Sequence, residues 1–292
     1  MCDDHTLEAE EAALAAKGLS RRQFAAIGAA GVLAACAGSE GEAKKAGKAL
    51  KESAVTIATP DGSCDAFFVH PTRGRHPAVI MWPDVAGLRE AYREMARRLA
   101  GAGHAVLVVN HYYRTTKAPI FNTISEWRTP EGQAKLRPAF APLSQAGTMR
   151  DAKAFVAWLD GQKAVDTRRG VGTAGYCMTG PYTVVTAAAV PDRVRLAASF
   201  HGGGLVTDKD ESPHKLLGKT RASFLIAIAR NDDAKAPAEK DVLRQAAKDA
   251  GRPAEVEVYN ADHGWCTLDA PAYDKGEADR AWGRMLALLA KI

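Results

Sequence analysis

From Ala54 onward the chain alternates short apolar runs with segments whose apolar positions recur every three to four residues. A continuous apolar run fits a strand buried on both faces, and the 3.6-residue recurrence fits a helix that buries one. V-T-I-A-T at 55–59 and S-C-D-A-F-F-V-H-P at 63–71, joined through Asp61-Gly62, predict two strands and a tight turn. P-A-V-I-M-W-P (77–83) predicts a buried strand, and L-R-E-A-Y-R-E-M-A-R-R-L-A (88–100), stopped by Gly101, an amphipathic helix. Further strands are predicted at 104–113, 170–176, 194–201, 222–229 and 254–259, with helices at 148–161, 181–190, 238–250 and 278–290. The stretch from Arg114 to Leu143 shows neither period and is expected to be irregular.

Strand–helix alternation opened by a hairpin predicts one α/β domain, residues 49–292, with a mostly parallel sheet and helices on both faces. In such sheets ligands bind at the carboxyl ends of the strands, which limits the residues that can do chemistry. The 292 residues are 47% hydrophobic and 25% charged, with a net charge of +5. That composition is globular, and its basic residues are scattered among acids, so nucleic acid is not an expected partner. Residues 1–48 differ in kind. Ser20-Arg21-Arg22-Gln23-Phe24 precedes an apolar run too short to span a membrane, the pattern of a twin-arginine export signal. The run ends in Leu33-Ala34-Ala35-Cys36, which fits either cleavage or lipidation of Cys36 as a membrane anchor. The expected location is outside the cytoplasm, periplasmic or membrane-anchored.

The candidate chemistry centres on G-Y-C-M-T-G, 175–180. Cys177 falls between a predicted strand and a predicted helix, with Gly175 and Gly180 about it. A nucleophile on such a sharp turn needs small neighbours, and the helix N-terminus behind it favours a thiolate. A buried core cysteine is the plainer alternative. A nucleophile needs a base and an acid to orient it, in the chain order nucleophile, acid, histidine. Asp232 and Asp233 follow one predicted strand and His263 the next. Asp233, with Pro237 four residues on, is preferred over Asp232 as the acid. His201 is a competing base or a pocket wall. Cys266 with Cys177 and His263 makes only a weak metal pattern, so neither metal nor cofactor is expected. For the oxyanion, the backbone amides of Met178 and Val85 are the candidate donors. Asp84 beside Val85 is a candidate neighbour of the thiol or a helix cap.

These pieces resemble the dienelactone hydrolase family of α/β-hydrolases: G-Y-C-M-T-G for the elbow, P-D-V-A-G-L for the oxyanion loop, N-D-D-A-K-A-P for the acid and D-H-G-W for the histidine. The resemblance implies an α/β-hydrolase fold and a cysteine hydrolase of small-molecule esters or lactones, with Cys177, Asp233 and His263 as triad. It also implies that Asp84 and Arg114, in H-Y-Y-R, serve substrate binding. Two positions depart from the family: Thr179 stands where the elbow has its second glycine, and Thr267 where a carboxylate-binding arginine is expected. Those departures leave open a second reading, an exported, non-catalytic binding lipoprotein that keeps the fold.

Overall fold

The computed structural model describes residues 49–292; the export and lipidation readings fall on residues 1–48 and lie outside the described residues. Eight strands form one sheet: β1 (Leu50–Thr59), β2 (Gly62–Pro71), β3 (Ala78–Trp82), β4 (Ala105–Val109), β5 (Val171–Tyr176), β6 (Val194–Phe200), β7 (Ser223–Ala229) and β8 (Ala254–Tyr259). Their spatial order is β1-β2-β4-β3-β5-β6-β7-β8. β1, β2 and β4 pair antiparallel, and every pairing from β4 through β3 to β8 is parallel. This is the α/β-hydrolase arrangement, opened by the hairpin that turns at Asp61-Gly62.

The continuous apolar runs are explained by burial on both sides. Along β3, Ala78, Ile80 and Trp82 enter one core and Val79 and Met81 the other. The first core is closed by Phe155, Val156 and Leu159 of α4 (Gln145–Asp160), Val184 and Val185 of α5 (Gly180–Ala189) and Leu243 and Ala247 of α7 (Glu239–Asp249). The second is closed by Tyr92, Met95 and Leu99 of α1 (Glu90–Gly101) and by Ala281, Met285 and Leu288 of α8 (Lys275–Leu289). Alternation at period 2 therefore survives in the choice of core rather than in polarity.

The expected irregular stretch contains two helices, α2 (Ile124–Trp127) and α3 (Pro130–Phe140). Pro138 inside α3 and the brevity of α2 hide the helical period. The local signals are nevertheless present. Glu126 accepts the Thr123 amide at 3.0 Å, half of a capping box, and Thr129 caps α3 ahead of Pro130 by accepting from the Gly132 amide at 3.0 Å. Ile124, Trp127, Leu136 and Ala139 pack onto Val85, Ala86 and Tyr112, with Met178 against the cluster. The insertion thus lies over the loop after β3 and the elbow. A third unpredicted helix, α6 (Arg230–Lys235), starts directly at the end of β7.

The α2–α3 junction depends on Gly132, where a Cβ would lie 1.9 Å from the Glu126 carbonyl oxygen. Gly132→Ala is expected to cost about 1–3 kcal/mol of stability in a denaturant titration. Gly101→Ala, whose added methyl meets nothing within 4 Å, serves as the neutral control.

Candidate active site

β5, β6, β7 and β8 are consecutive neighbours in the sheet, and each delivers a chemically capable side chain just past its carboxyl end: Cys177, His201, Asp232 and His263. Cys177 has φ +55°, a left-handed conformation rare for a side-chain-bearing residue, and is 5% exposed. It opens the short turn Cys177–Thr179 that runs into α5, so Cys177 stands at the N-terminal end of that helix. The glycines about it answer to crowding. A Cβ on Gly175 would lie 2.3 Å from the Thr179 carbonyl oxygen, and one on Gly180 would lie 2.4 Å from Ser199 Oγ and 2.5 Å from Gly202 Cα. The elbow is wedged against the exit of β6.

Thr179 has a structural part in this turn. Its buried hydroxyl accepts the Tyr176 amide at 3.0 Å and is 2.8 Å from the Trp82 carbonyl oxygen, to which it donates. The elbow is thereby tied to the last residue of β3. Where a glycine would leave the turn free, the threonine supplies a cross-strand link.

His263 is 8% exposed, and its Nδ1 lies 2.7 Å from Asp232 Oδ2. Its backbone amide donates to Asn231 Oδ1 at 2.9 Å, so α6 fixes both the main chain and the ring of this histidine. The expectation of Asp233 in that place is corrected: Asp233 Oδ1 pairs with Lys240 Nζ of α7 at 2.6 Å. Adjacent residues on a helix point about 100° apart, so only one of the two aspartates can face His263. With no helix predicted over 230–235, nothing in the sequence decides that choice, and Pro237 follows α6 whichever aspartate is used.

The loop after β3 is held from three sides. Tyr92 Oη lies 3.0 Å from the Asp84 amide, which donates to it; Tyr112 Oη donates to the Val85 carbonyl at 2.9 Å; and the Asp84 side chain accepts the Ala86 amide at 2.9 Å. Among the described residues no hydrogen bond takes the Val85 amide.

The structure places both substrate-binding candidates in ion pairs within the fold. Asp84 is committed to Arg89 through both oxygens, at 2.7 and 2.9 Å. Arg114 is committed to Asp61 at 2.6 Å and Asp151 at 2.8 Å, where it fastens the β1–β2 turn to α4. Thr267 is fully buried beside Tyr92, with 3.4 Å between hydroxyls, and brings no charge.

Sequence reasoning missed two arginines. Arg89, 1% exposed, also donates to Asp269 from Nε at 2.8 Å and Nη2 at 2.7 Å, while Asp269 Oδ2 accepts the Ile124 amide of α2 at 3.0 Å. Arg128, just past α2, lies within electrostatic reach of both Asp269 and the Cys177 sulfur; burial brings its pKa down to about 10, so it stays charged at neutral pH. The Thr123–Glu126 capping box was the one sequence signal that could have placed Arg128 at a helix end.

Cys266 lines a small pocket shared with Met95 of α1, Met285 of α8, Tyr176 and Phe200. Burial raises its thiol pKa well above the usual value, as expected of an inert core cysteine. Among the described residues no three His, Cys, Asp or Glu side chains converge where they could hold a metal ion.

A left-handed cysteine elbow, an aspartate–histidine pair on the next strands and an eight-stranded α/β sheet define the class as an α/β-hydrolase. The profile of the dienelactone hydrolase family matches residues 64–292, and the chain belongs to that family. It is 26% identical, over 79% of its length and 78% of the other's, to a Methylorubrum extorquens protein provisionally named carboxymethylenebutenolidase. It is 24% identical to the carboxymethylenebutenolidase of Rhodococcus opacus, over 65% of this chain and 70% of that one. A crystal structure from Klebsiella pneumoniae, provisionally named dienelactone hydrolase, superposes with a TM-score of 0.72 at 23% identity, covering 84% of this chain and all of that one. A dienelactone hydrolase-like promiscuous phosphotriesterase from metagenomic libraries superposes with a TM-score of 0.67 at 20% identity, over 83% and 98% of the two chains. None of these comparisons supports the non-catalytic reading.

The Arg89 fork predicts a measurable electrostatic dependence. Arg89→Met strands two carboxylates in the interior and is expected to cost about 3–5 kcal/mol in a denaturant titration at neutral pH. Burial pushes the Asp269 pKa up, but the Arg89 charge and hydrogen bonds outweigh it and hold the carboxyl below its ordinary 3.8. A depressed folded pKa gives stability that is present above the ordinary value and lost as pH falls through the folded one. The stability gap between wild type and variant should therefore narrow on acidification below about pH 4.

Proposed function

We propose that this chain hydrolyses ester or lactone bonds of small molecules through a Cys177–His263–Asp232 triad, without a metal. The observation that carries the reading is the 2.7 Å Asp232–His263 contact two strands from a cysteine held in left-handed backbone. Asp232 fixes the proton of His263 on Nδ1, which leaves Nε2 as the base. His263 takes the thiol proton, and the Cys177 sulfur attacks the acyl carbon, forming a C–S bond and a tetrahedral oxyanion. The amides of Val85 and Met178 are the donors for that oxyanion. As the C–O bond breaks, the leaving oxygen receives the proton from His263. Water, deprotonated by the same ring, then attacks the thioester and releases the acid, and the thiol is restored.

The position of Arg128 supports an acyl substrate that carries an anionic group. Arg114 and Thr267, where the resemblance looked for such an anchor, are respectively engaged elsewhere and uncharged. Arg128 brings the missing charge to the thiol from the insertion instead.

Two experiments test this reading. With an aryl acetate, Cys177→Ala and His263→Ala should abolish turnover, and Asp232→Asn should lower kcat by at least about a hundredfold. Asp233→Asn should stay within about threefold of wild type; the reverse order of the two aspartate variants would refute the acid assignment. Second, Arg128→Met should lower the ratio of kcat/KM for a carboxylate-bearing ester over its neutral methyl ester by about 10- to 100-fold, as loss of a charge-assisted contact requires. An unchanged ratio would remove the anionic substrate class.

A further inference from the structure

His201 is used by none of these steps, yet the fold goes to some length to keep it in place. It is 1% exposed and holds φ +40°, a left-handed backbone that a glycine in its place would take without strain. Such conformations persist where the surroundings over-determine them, and they cluster at functional sites. Three rings enclose the side chain: Trp265 at 5.2 Å between centroids, Tyr176 at 6.2 Å and His263 at 4.7 Å, the last at an interplanar angle of 61°. Neither ring nitrogen of His201 is hydrogen-bonded to another residue.

We propose that His201 is a positioning residue for His263, its ring fixing the rotation of the His263 ring and stabilising the proton-bearing form that appears when Cys177 gives up its proton. This rests on the Cys177–His263–Asp232 reading. The physical basis is the attraction between a cation and an adjacent aromatic ring. Burial drives the His201 pKa far below the usual value, and the neighbouring His263 lowers it further, so the His201 ring is the neutral partner of the pair. The charged groups about the pair are Asp232 from α6, at Nδ1 of His263, Cys177 from the elbow, and Asp262 beside His263, already neutralised by Arg230 at 2.8 Å. Against His201 stand Tyr176, whose phenol burial pushes up and keeps neutral, and the uncharged Trp265. Asp232 and His201 thus act on His263 in the same direction, one by charge and one by its ring.

The test reads the thiolate directly instead of turnover. Full-length protein is alkylated with iodoacetamide across pH, and modification of the Cys177 peptide is followed by mass spectrometry. If His201 stabilises the imidazolium, His201→Leu shifts the alkylation midpoint up by about 0.5–1 pH unit and slows alkylation at neutral pH about three- to tenfold, each pH unit being a factor of ten in thiolate. His201→Phe, which keeps the ring, should remain within about 0.2 unit of wild type. A midpoint unmoved in His201→Leu, or moved equally in His201→Phe, overturns the proposal. Should His201→Leu fail to fold, His201→Gln, polar but without an aromatic ring, takes its place with the same two outcomes. Failure of the underlying reading looks different: Cys177→Ala would then keep turnover and wild-type Cys177 would titrate as an ordinary thiol, which also overturns the proposal.

Discussion

Arg89 spends all three guanidinium nitrogens on two carboxylates that lie 185 positions apart in the chain, Asp84 on the loop after β3 and Asp269 after the histidine loop. Because Asp269 also accepts the Ile124 amide, the same contact reaches the inserted helices. Three segments that share no strand pairing are thus joined at one buried point. An interior ion network of this sort adds little net stability compared with well-packed apolar side chains, since desolvation offsets most of the Coulomb gain. Its effect is on relative placement. The oxyanion loop, the turn bearing His263 and the helix that presents Arg128 hold a common geometry because Arg89 cannot release one carboxylate without leaving it uncompensated.

That arrangement separates this chain from what its family resemblance implied. Asp84 was expected to face the thiol or the substrate, and Arg114 to hold a substrate anion. Both keep their sequence positions but are satisfied by partners inside the fold. The inserted segment brings a different cation, Arg128, within electrostatic reach of the thiol. Under the proposed acyl chemistry, the charge that would select an anionic substrate stands in residues 114–143, the part of the chain least like a regular element in sequence.

The strands, most helices and the elbow were legible because they rest on period and on strong punctuation. β3, β4 and β7 read as apolar runs, Gly101 stops α1, and crowding leaves only glycine at 175 and 180. What was not legible depended on orientation within a short element. Asp232 and Asp233 are adjacent and chemically alike, and only the start of α6 at Arg230 decides which of them meets His263. The α2–α3 pair was obscured by prolines that usually interrupt helices, one of which here begins α3 while the other lies inside it. The partners of Arg114 and Arg89 are long-range, and no local pattern announces them.

Thr179 and Trp82 give the hydrogen bond between elbow and β3 a further meaning. Met178 immediately precedes the threonine, and Val85 is three residues beyond the tryptophan. The two amides assigned to the oxyanion thus sit on opposite jaws of a caliper whose screw is one hydroxyl. A side chain there that is shorter, or that cannot donate, would let the jaws drift. The threonine that looked like a flaw in the motif is then the part that holds its aperture to tolerance.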